Sequence, residues 1–367
     1  MSSVQLAPAR SSPAHTVAGA PWSARRLRTP LAFFLVTLAL LASLVLSTAF
    51  GAEALSPATV LDVLVRRMTD RPVADLAHDT IVWQLRVPRA LLAAVVGAGL
   101  ALAGAAMQTL VRNPLADPYL LGVSSGASVG ATAVITSGLF AGAGALTLSG
   151  GALAGALGAA ALVFAVATAQ GGLTPLRLVL TGTVLGSAFS AIASYLVFRS
   201  PDPAAAQSVL FWLLGSLAGA EWYRLAIPAI TVGVVAAALL AGSGWLDALA
   251  TGSDTAASLG VPVRAVRAGL FVLLAILVGV LVAVSGGIGF VGLVVPHAAR
   301  LLVGARHRVL LPASAMCGAL FLLWVDVVTR ILVRPTEIPL SVVSGLIGAP
   351  AFLVLLGRRR YRFGADG

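Results

Sequence analysis

Few side chains in this 367-residue sequence could do chemistry, and they lie far apart along it. The four histidines, His15, His78, His297 and His307, have no carboxylate or cysteine companions at ligand spacing, so no metal site is expected. Cys317 is the single cysteine, which excludes an internal disulfide and a thiolate cage. All 24 basic residues are arginine, so there is no P-loop lysine, no Schiff-base lysine and no lysine base. The run Gly122-Val-Ser124-Ser125-Gly126 is only loosely like a nucleophile turn, and no carboxylate on the apolar run of His297 could orient that ring as a base. Catalysis by this chain is therefore not expected. His297 and Asp326 fall inside apolar runs, where an ionisable group is a functional candidate. One reading makes them proton carriers. The other is structural: His297 bonds a neighbouring helix, and Asp326 pairs with Arg330, four residues on along one helix face.

The elements that must position these residues follow from composition. Of the chain, 59% is hydrophobic and 10% charged, against about 25% charged in soluble domains. Soluble enzymes, disordered regulators and secreted disulfide scaffolds are thereby excluded, and an all-α polytopic membrane protein remains. Ten apolar runs approach the length of about 20 residues that spans a bilayer. They are Leu31–Phe50, Ala90–Leu110, Leu120–Leu139, Leu146–Ala169, Leu176–Phe198, Leu225–Leu246, Ala268–Val284, Gly287–Val303, Leu310–Leu332 and Leu340–Leu356. Their continuity favours helices over a barrel. With the N-terminus inside, 15 of the 24 arginines but only four of the 13 acidic residues fall on the inner side. The positive-inside rule therefore places both termini in the cytoplasm, and an anionic inner leaflet accounts for the net charge of +11 without nucleic acid. Residues 1–29 read as a disordered cytoplasmic segment, 30–360 as the membrane domain and 361–367 as a cytoplasmic tail. The run from Leu31 is too long for a signal-peptide core and is read as an uncleaved first span.

Three segments outside the runs carry structure. Gly51–Arg89 has charges of both signs and reads as a structured outer surface. Ala205–Ala218 is too short to span and reads as a helix along the outer interface, with Trp212 and Trp222 at headgroup level. The cytoplasmic segment 246–267 contains TGSDTAASLG, a short helix capped by Ser253 or Asp254 and ended by Gly260. In RNPLADPYLLGVSSGASVG, Pro114 and Pro118 impose irregular backbone after the second run, and Asn113 and Asp117 can bond the freed amides. Such backbone persists near a membrane only where protein or a cavity covers it, which suggests a constriction. An R-x-x-R-A sequence opens the runs after both Arg86 and Arg264, from opposite sides of the membrane, as in an inverted repeat.

Together RVPR at Arg86–Arg89, NPLADPYLLGVSSGASVGA, GFVGLVVPHAARLLVG, HRVLLP, DVVTR and PTEIPLSVVSGLIGAP resemble the FecCD-type permeases across about residues 30–360. These are membrane subunits of ATP-binding-cassette importers for ferric siderophores, haem and vitamin B12. The resemblance implies a second permease subunit, two ATP-binding subunits that use the ATP, an extracytoplasmic binding protein, and no cofactor on this chain. It also implies roles by position. Asn113 and Leu115, with Thr174 and Pro175 of the loop from Gly171, would form the inner gate. Ala257, Ser258, Leu259, Gly260 and Val261 would couple to the ATPase. Arg86, Arg89 and Arg330 would receive carboxylates of the binding protein, so that Arg89→Glu slows docking while ATPase assembly survives. A self-sufficient proton-coupled transporter working through Asp326 or His297 is the alternative.

Overall fold

The computed structural model describes residues 22–51, 53–72, 74–137 and 144–357. In chain order the helices are α1 (Trp22–Ser47), α2 (Pro57–Met68), α3 (Leu76–Asp79), α4 (Val87–Leu110), α5 (Val123–Ser137), α6 (Gly144–Ala169), α7 (Pro175–Arg199) and α8 (Ala205–Leu213). They continue as α9 (Trp222–Ala241), α10 (Ser243–Thr251), α11 (Ser253–Ser258), α12 (Val263–Ser285), α13 (Val291–Val303), α14 (His307–Ile331) and α15 (Leu340–Gly357). A π-helical stretch, Thr80–Arg86, joins α3 to α4, and a 3-10 turn, Pro118–Leu121, precedes α5. No strand occurs among the described residues. Each of the ten apolar runs contains a helix. Among the described residues seven helices are long and apolar enough to cross a membrane, and α13 and α15 supply shorter apolar ones.

Some boundaries differ from the sequence reading. Helix α1 starts at Trp22, inside the segment read as disordered; residues 1–21 and the tail 361–367 lie outside the described residues. The segment read as a structured outer surface carries α2, α3 and the π-helical stretch among its described residues. Ser56 caps α2 by accepting the Thr59 N–H at 3.1 Å, and Val60, Val63 and Val82 form a small core of their own. Helix α8 does not simply lie along an interface. Trp212 packs on the main core, and the chain beyond α8 bonds into broken helix ends described below. Non-helical backbone in an apolar setting needs internal partners, and those ends supply them. Trp222 stacks on Trp83 with centroids 4.9 Å apart and donates to its carbonyl.

Helix α4 is the axis of the bundle, with nearly all of its residues buried. Its Ala/Gly-rich face lets neighbours approach closely, the usual device for packing helices without a hydrophobic driving force. Helix α14 runs antiparallel to it, since Arg89 at the start of α4 meets Asp326 near the end of α14, and Thr109 at the end of α4 meets His307 at the start of α14. Between these points a Cβ at Gly97 would lie 2.2 Å from the Gly318 carbonyl oxygen. Helix α12 is also antiparallel to α4. Leu281 lies against Gly99, and Arg267 is close enough to Arg112 to feel its charge. The two R-x-x-R-A sequences thus open helices from opposite ends of one antiparallel pair, the relation an inverted repeat requires.

The tightest of these contacts gives a test. A Cβ at Gly104 would stand 1.9 Å from the carbonyl oxygen of Gly292, backbone that has nowhere to move. Gly104→Val is expected to cost about 3 kcal/mol or more and to remove the monodisperse peak in detergent gel filtration. Gly158→Ala, with open space around it, should leave the melting temperature in place. A Gly104→Val protein that melts like the parent would mean that α4 and α13 are not this close.

Candidate functional site

At the end of the bundle read as outer, the three arginines assigned to docking come together. Each is buried, between 6% and 9% exposed. The π-helical turn delivers Arg86 to the end of α1, where its guanidinium donates to the carbonyls of Thr48 (2.9 Å), Ala49 (3.1 Å) and Glu53. Arg330 donates to the Phe50 carbonyl at 2.7 Å and the Ser47 carbonyl at 3.4 Å. Both guanidinium groups therefore sit just beyond the C-terminus of α1, the negative end of its dipole; Arg330 reaches the last carbonyl of the helix, Ser47, and Arg86 holds the turn that follows. Arg89 donates from Nε to Asp326 Oδ1 at 2.9 Å and grips Glu337 with Nη1 and Nη2 at 2.8 and 2.9 Å. Asp326 has no exposure and also pairs with Arg330 Nη2 at 3.1 Å. The predicted i,i+4 pair is present, joined by a longer-range partner, Arg89. Glu337, on the segment between α14 and α15, had no role in the sequence reading. Only its charge, between the two prolines of PTEIP, could have signalled it.

Below this cluster, broken helix ends converge. Helix α12 stops at Ser285, and α13 starts from Phe290, which takes a left-handed φ of +69°. The Ser216 N–H donates to the Ser285 carbonyl at 2.9 Å, the Leu340 N–H to Gly215 at 3.0 Å and the Ser341 N–H to Leu214 at 3.0 Å. Ser341 Oγ donates to the Gly287 carbonyl at 2.7 Å. The Tyr119 hydroxyl donates to the Ile288 carbonyl and accepts the Ile288 N–H. Segments following α8, α12 and α14 thus meet the 3-10 turn before α5. Hydropathy locates the runs around this hub, but which backbone groups pair across it depends on tertiary contact.

At the opposite end, read as inner, Asn113 Oδ1 accepts the Leu115 N–H at 2.9 Å, and Leu115 is 44% exposed. Thr174 caps α7 through a long bond from the Arg177 N–H, 3.4 Å, and Pro175 is its first residue. The two loops that the sequence reading assigns to a gate border different cavities. Asn113 lines one of about 240 Å³ with Arg112, Arg300 and His307. Thr174 lines one of about 570 Å³ with Arg264 and Arg267. Helix α11 carries Ala257 and Ser258, with Leu259 at its C-cap. Gly260 then has φ +80°, and N–H groups of Gly260 and Val261 return to the carbonyls of Ala257 and Ala256, a Schellman ending as expected. The expected N-cap differs. Gly252 occupies that position, and Ser253 Oγ instead accepts from Arg267 Nη2 at 2.7 Å.

Asp117 caps the turn before α5, its carboxylate accepting the Tyr119 N–H at 2.8 Å. Burial pushes this carboxyl up to about 6, against the downward pull of that bond. The folded chain therefore holds a proton that the unfolded chain has released, and stability falls as pH rises towards 6. Asp117→Asn keeps an acceptor for Tyr119 and removes the cost. At pH 8 it should be more stable than the parent, by at most about 3 kcal/mol, while near pH 4 the two should melt alike. Equal melting at both values would show that Asp117 ionises at no cost.

Comparison with known proteins bears on what this arrangement is for. Residues 39–358 match the FecCD transport family. The chain belongs to that family. It is 42% identical to the cobalamin import system permease protein BtuC of Halobacterium salinarum over 77% of its length and 74% of the relative's. It is 41% identical to the ferric enterobactin transport system permease protein FepD of Escherichia coli, over 89% and 95%. A solved inward-facing conformation of a metal-chelate type ABC transporter covers 90% of the chain and is itself wholly covered, with TM-score 0.79 and 36% identity. This FecCD chain is a multi-pass membrane permease of an ATP-driven importer, and the proton-coupled alternative falls away. Asp326, held between Arg89 and Arg330, is built into the fold rather than poised to carry a proton.

Proposed function

We propose that two permease copies enclose a pathway for a metal chelate, with α7 on its wall. One row of side chains supports this most. Thr183, Ser187, Ser190 and Ser194 recur every three or four residues along α7, and all are exposed. The Thr183, Ser187 and Ser194 hydroxyls donate to backbone carbonyls four residues back, so they keep a bond while presenting oxygen outward. Helix α7 also exposes Leu180 and Val184, but no such hydroxyl row interrupts the exposed faces of α1, with Leu31, Phe34, Leu35 and Leu38, and α9, with Ile227, Ile230 and Val234. Those faces suit lipid, whereas the hydroxyl row suits a wetted wall between copies.

Around this pathway, ATP-binding subunits rest on α10 and α11, and a binding protein delivers cargo to the outer arginine face. Both termini are cytoplasmic by the arginine bias. Leu115 and Thr174 border the inner mouth and act as its gate. Cobalamin and ferric enterobactin, named for the two relatives, are large metal-bearing ligands, and the cargo class follows theirs. The wall is tested with Ser190→Cys in a Cys317→Ala background. A short thiol cross-linker should join two copies at this position, and maleimide should block uptake of whichever chelate is carried. Ile230→Cys should do neither. Cross-linking through Ile230 but not Ser190 would put α9 at the interface and α7 against lipid.

A further inference from the structure

His307 lines the cavity beside Asn113, and its ring is bonded on both sides to other helices. Its ring, 3% exposed, lies where α4, α10 and α14 meet. Nδ1 is 2.6 Å from Asp247 Oδ1 on α10, and Nε2 is 2.7 Å from Thr109 Oγ1 at the end of α4. Asp247 Oδ1 also accepts the His307 backbone N–H at 2.9 Å. Arg306, the N-cap residue of α14, offers no side-chain cap. The first turn of α14 is therefore capped from another helix, by a carboxylate favourably placed at a helix N-terminus.

We infer that Asp247 and His307 form a strut that carries movement of the cytoplasmic helices α10 and α11 to the α4–α14 pair. The inference rests on the reading that those helices carry the ATP-binding subunits. The mechanics follow from the bonds. Displacing α10 must either break both bonds to Asp247, one of them to a side chain at 2.6 Å, or move the start of α14 with it. Thr109 passes the same displacement to α4. The pair is closely packed at Gly97 and Gly318 and is tied at its far end by Arg89 and Asp326. A push at its inner end therefore acts on a stiff unit that reaches the outer cluster. Arg267 makes a second tie, to Ser253 on α11. That tie ends on a hydroxyl, and it leads to α12 instead.

The two arms of the ring can be separated chemically. His307→Asn puts an amide N–H near the position of Nδ1 and keeps the arm to Asp247. His307→Gln reaches the position of Nε2, keeps the arm to Thr109 and loses the side-chain arm to Asp247, where only the 2.9 Å backbone N–H bond remains. Each is made in full-length protein with Cys317→Ala and Leu115→Cys, labelled with bimane at Leu115→Cys, and assembled with its ATPase in nanodiscs. ATP with orthovanadate is the probe, and the bimane emission shift at the inner mouth is the readout. The parent and His307→Asn should shift by the same amount. His307→Gln and Asp247→Ala should lose most of the shift, while the ATPase still co-purifies. Asp247 is 41% exposed at its side chain, so its variant reads the same arm should His307→Gln fail to assemble. Equal shifts in all variants, or equal losses in Asn and Gln, would overturn the strut and leave ATPase docking standing. Absence of co-purification with the parent would instead defeat the docking reading, and the strut with it.

Discussion

Asp326→Ala is expected to abolish the folded permease. The carboxylate has no exposure, and Arg89 and Arg330 beside it are 9% and 6% exposed. Removing it leaves two buried guanidinium groups short of their shared counter-charge. Losing one partner of a buried pair costs about 3–5 kcal/mol, a large share of the roughly 5–15 kcal/mol that holds a typical domain folded. Yield and thermal melting in detergent should collapse together. Asp326→Asn, which keeps an acceptor for Arg89 Nε, should do less harm. A proton carrier would behave differently: Asp326→Ala would then fold and melt normally while uptake stopped. That result would mean that Asp326 acts in transport itself rather than in holding the fold.

How much of this cluster could be read beforehand depends on the range of each interaction. The Asp326–Arg330 pair is local, four residues along one helix, and helix geometry alone predicts it. The bond from Arg89 to Asp326 spans 237 positions, and no local pattern encodes it. The positions of the three arginines in motifs similar to those of FecCD permeases placed them on one face. Their burial was not legible, because arginine at the end of an apolar run reads equally as a residue reaching lipid headgroups. Most of the ten runs were clear for the converse reason: an unbroken apolar stretch must satisfy its own backbone, and a helix does so locally; the third and eighth, rich in glycine or broken by polar residues, were the least distinct. The Schellman ending at Gly260 was legible on the same local grounds. His307 was passed over as one of several dispersed histidines, since its partners Thr109 and Asp247 come from distant helices. Glycine spacing suggested close packing, but the pairing of Gly97 with Gly318 and Gly104 with Gly292 needed the fold.

The burial of Arg89 changes what charge reversal there should do. Arg89→Glu would place a third carboxylate beside Asp326 and Glu337, within a site that excludes water. It is expected to destroy the folded permease, so ATPase assembly should be lost rather than spared. Docking at this face is better probed through Glu337, whose side chain is 40% exposed and occupies the outer fork of Arg89. An incoming carboxylate from a binding protein would have to displace it. Glu337→Gln weakens that hold and leaves Arg89 paired with Asp326, so the fold should survive. A face with one fewer negative charge should draw an acidic partner faster, and rim charges act mainly on association rate. The rate should rise by a factor of about 3–10 at low salt, with the gain fading above roughly 0.15 M as charges are screened. Stopped-flow association of permease in nanodiscs with its binding protein measures this directly. A rate unchanged at every salt concentration would mean that the partner never meets the Arg89 fork, and that the outer arginines serve only to tie α1, α4 and α14 together.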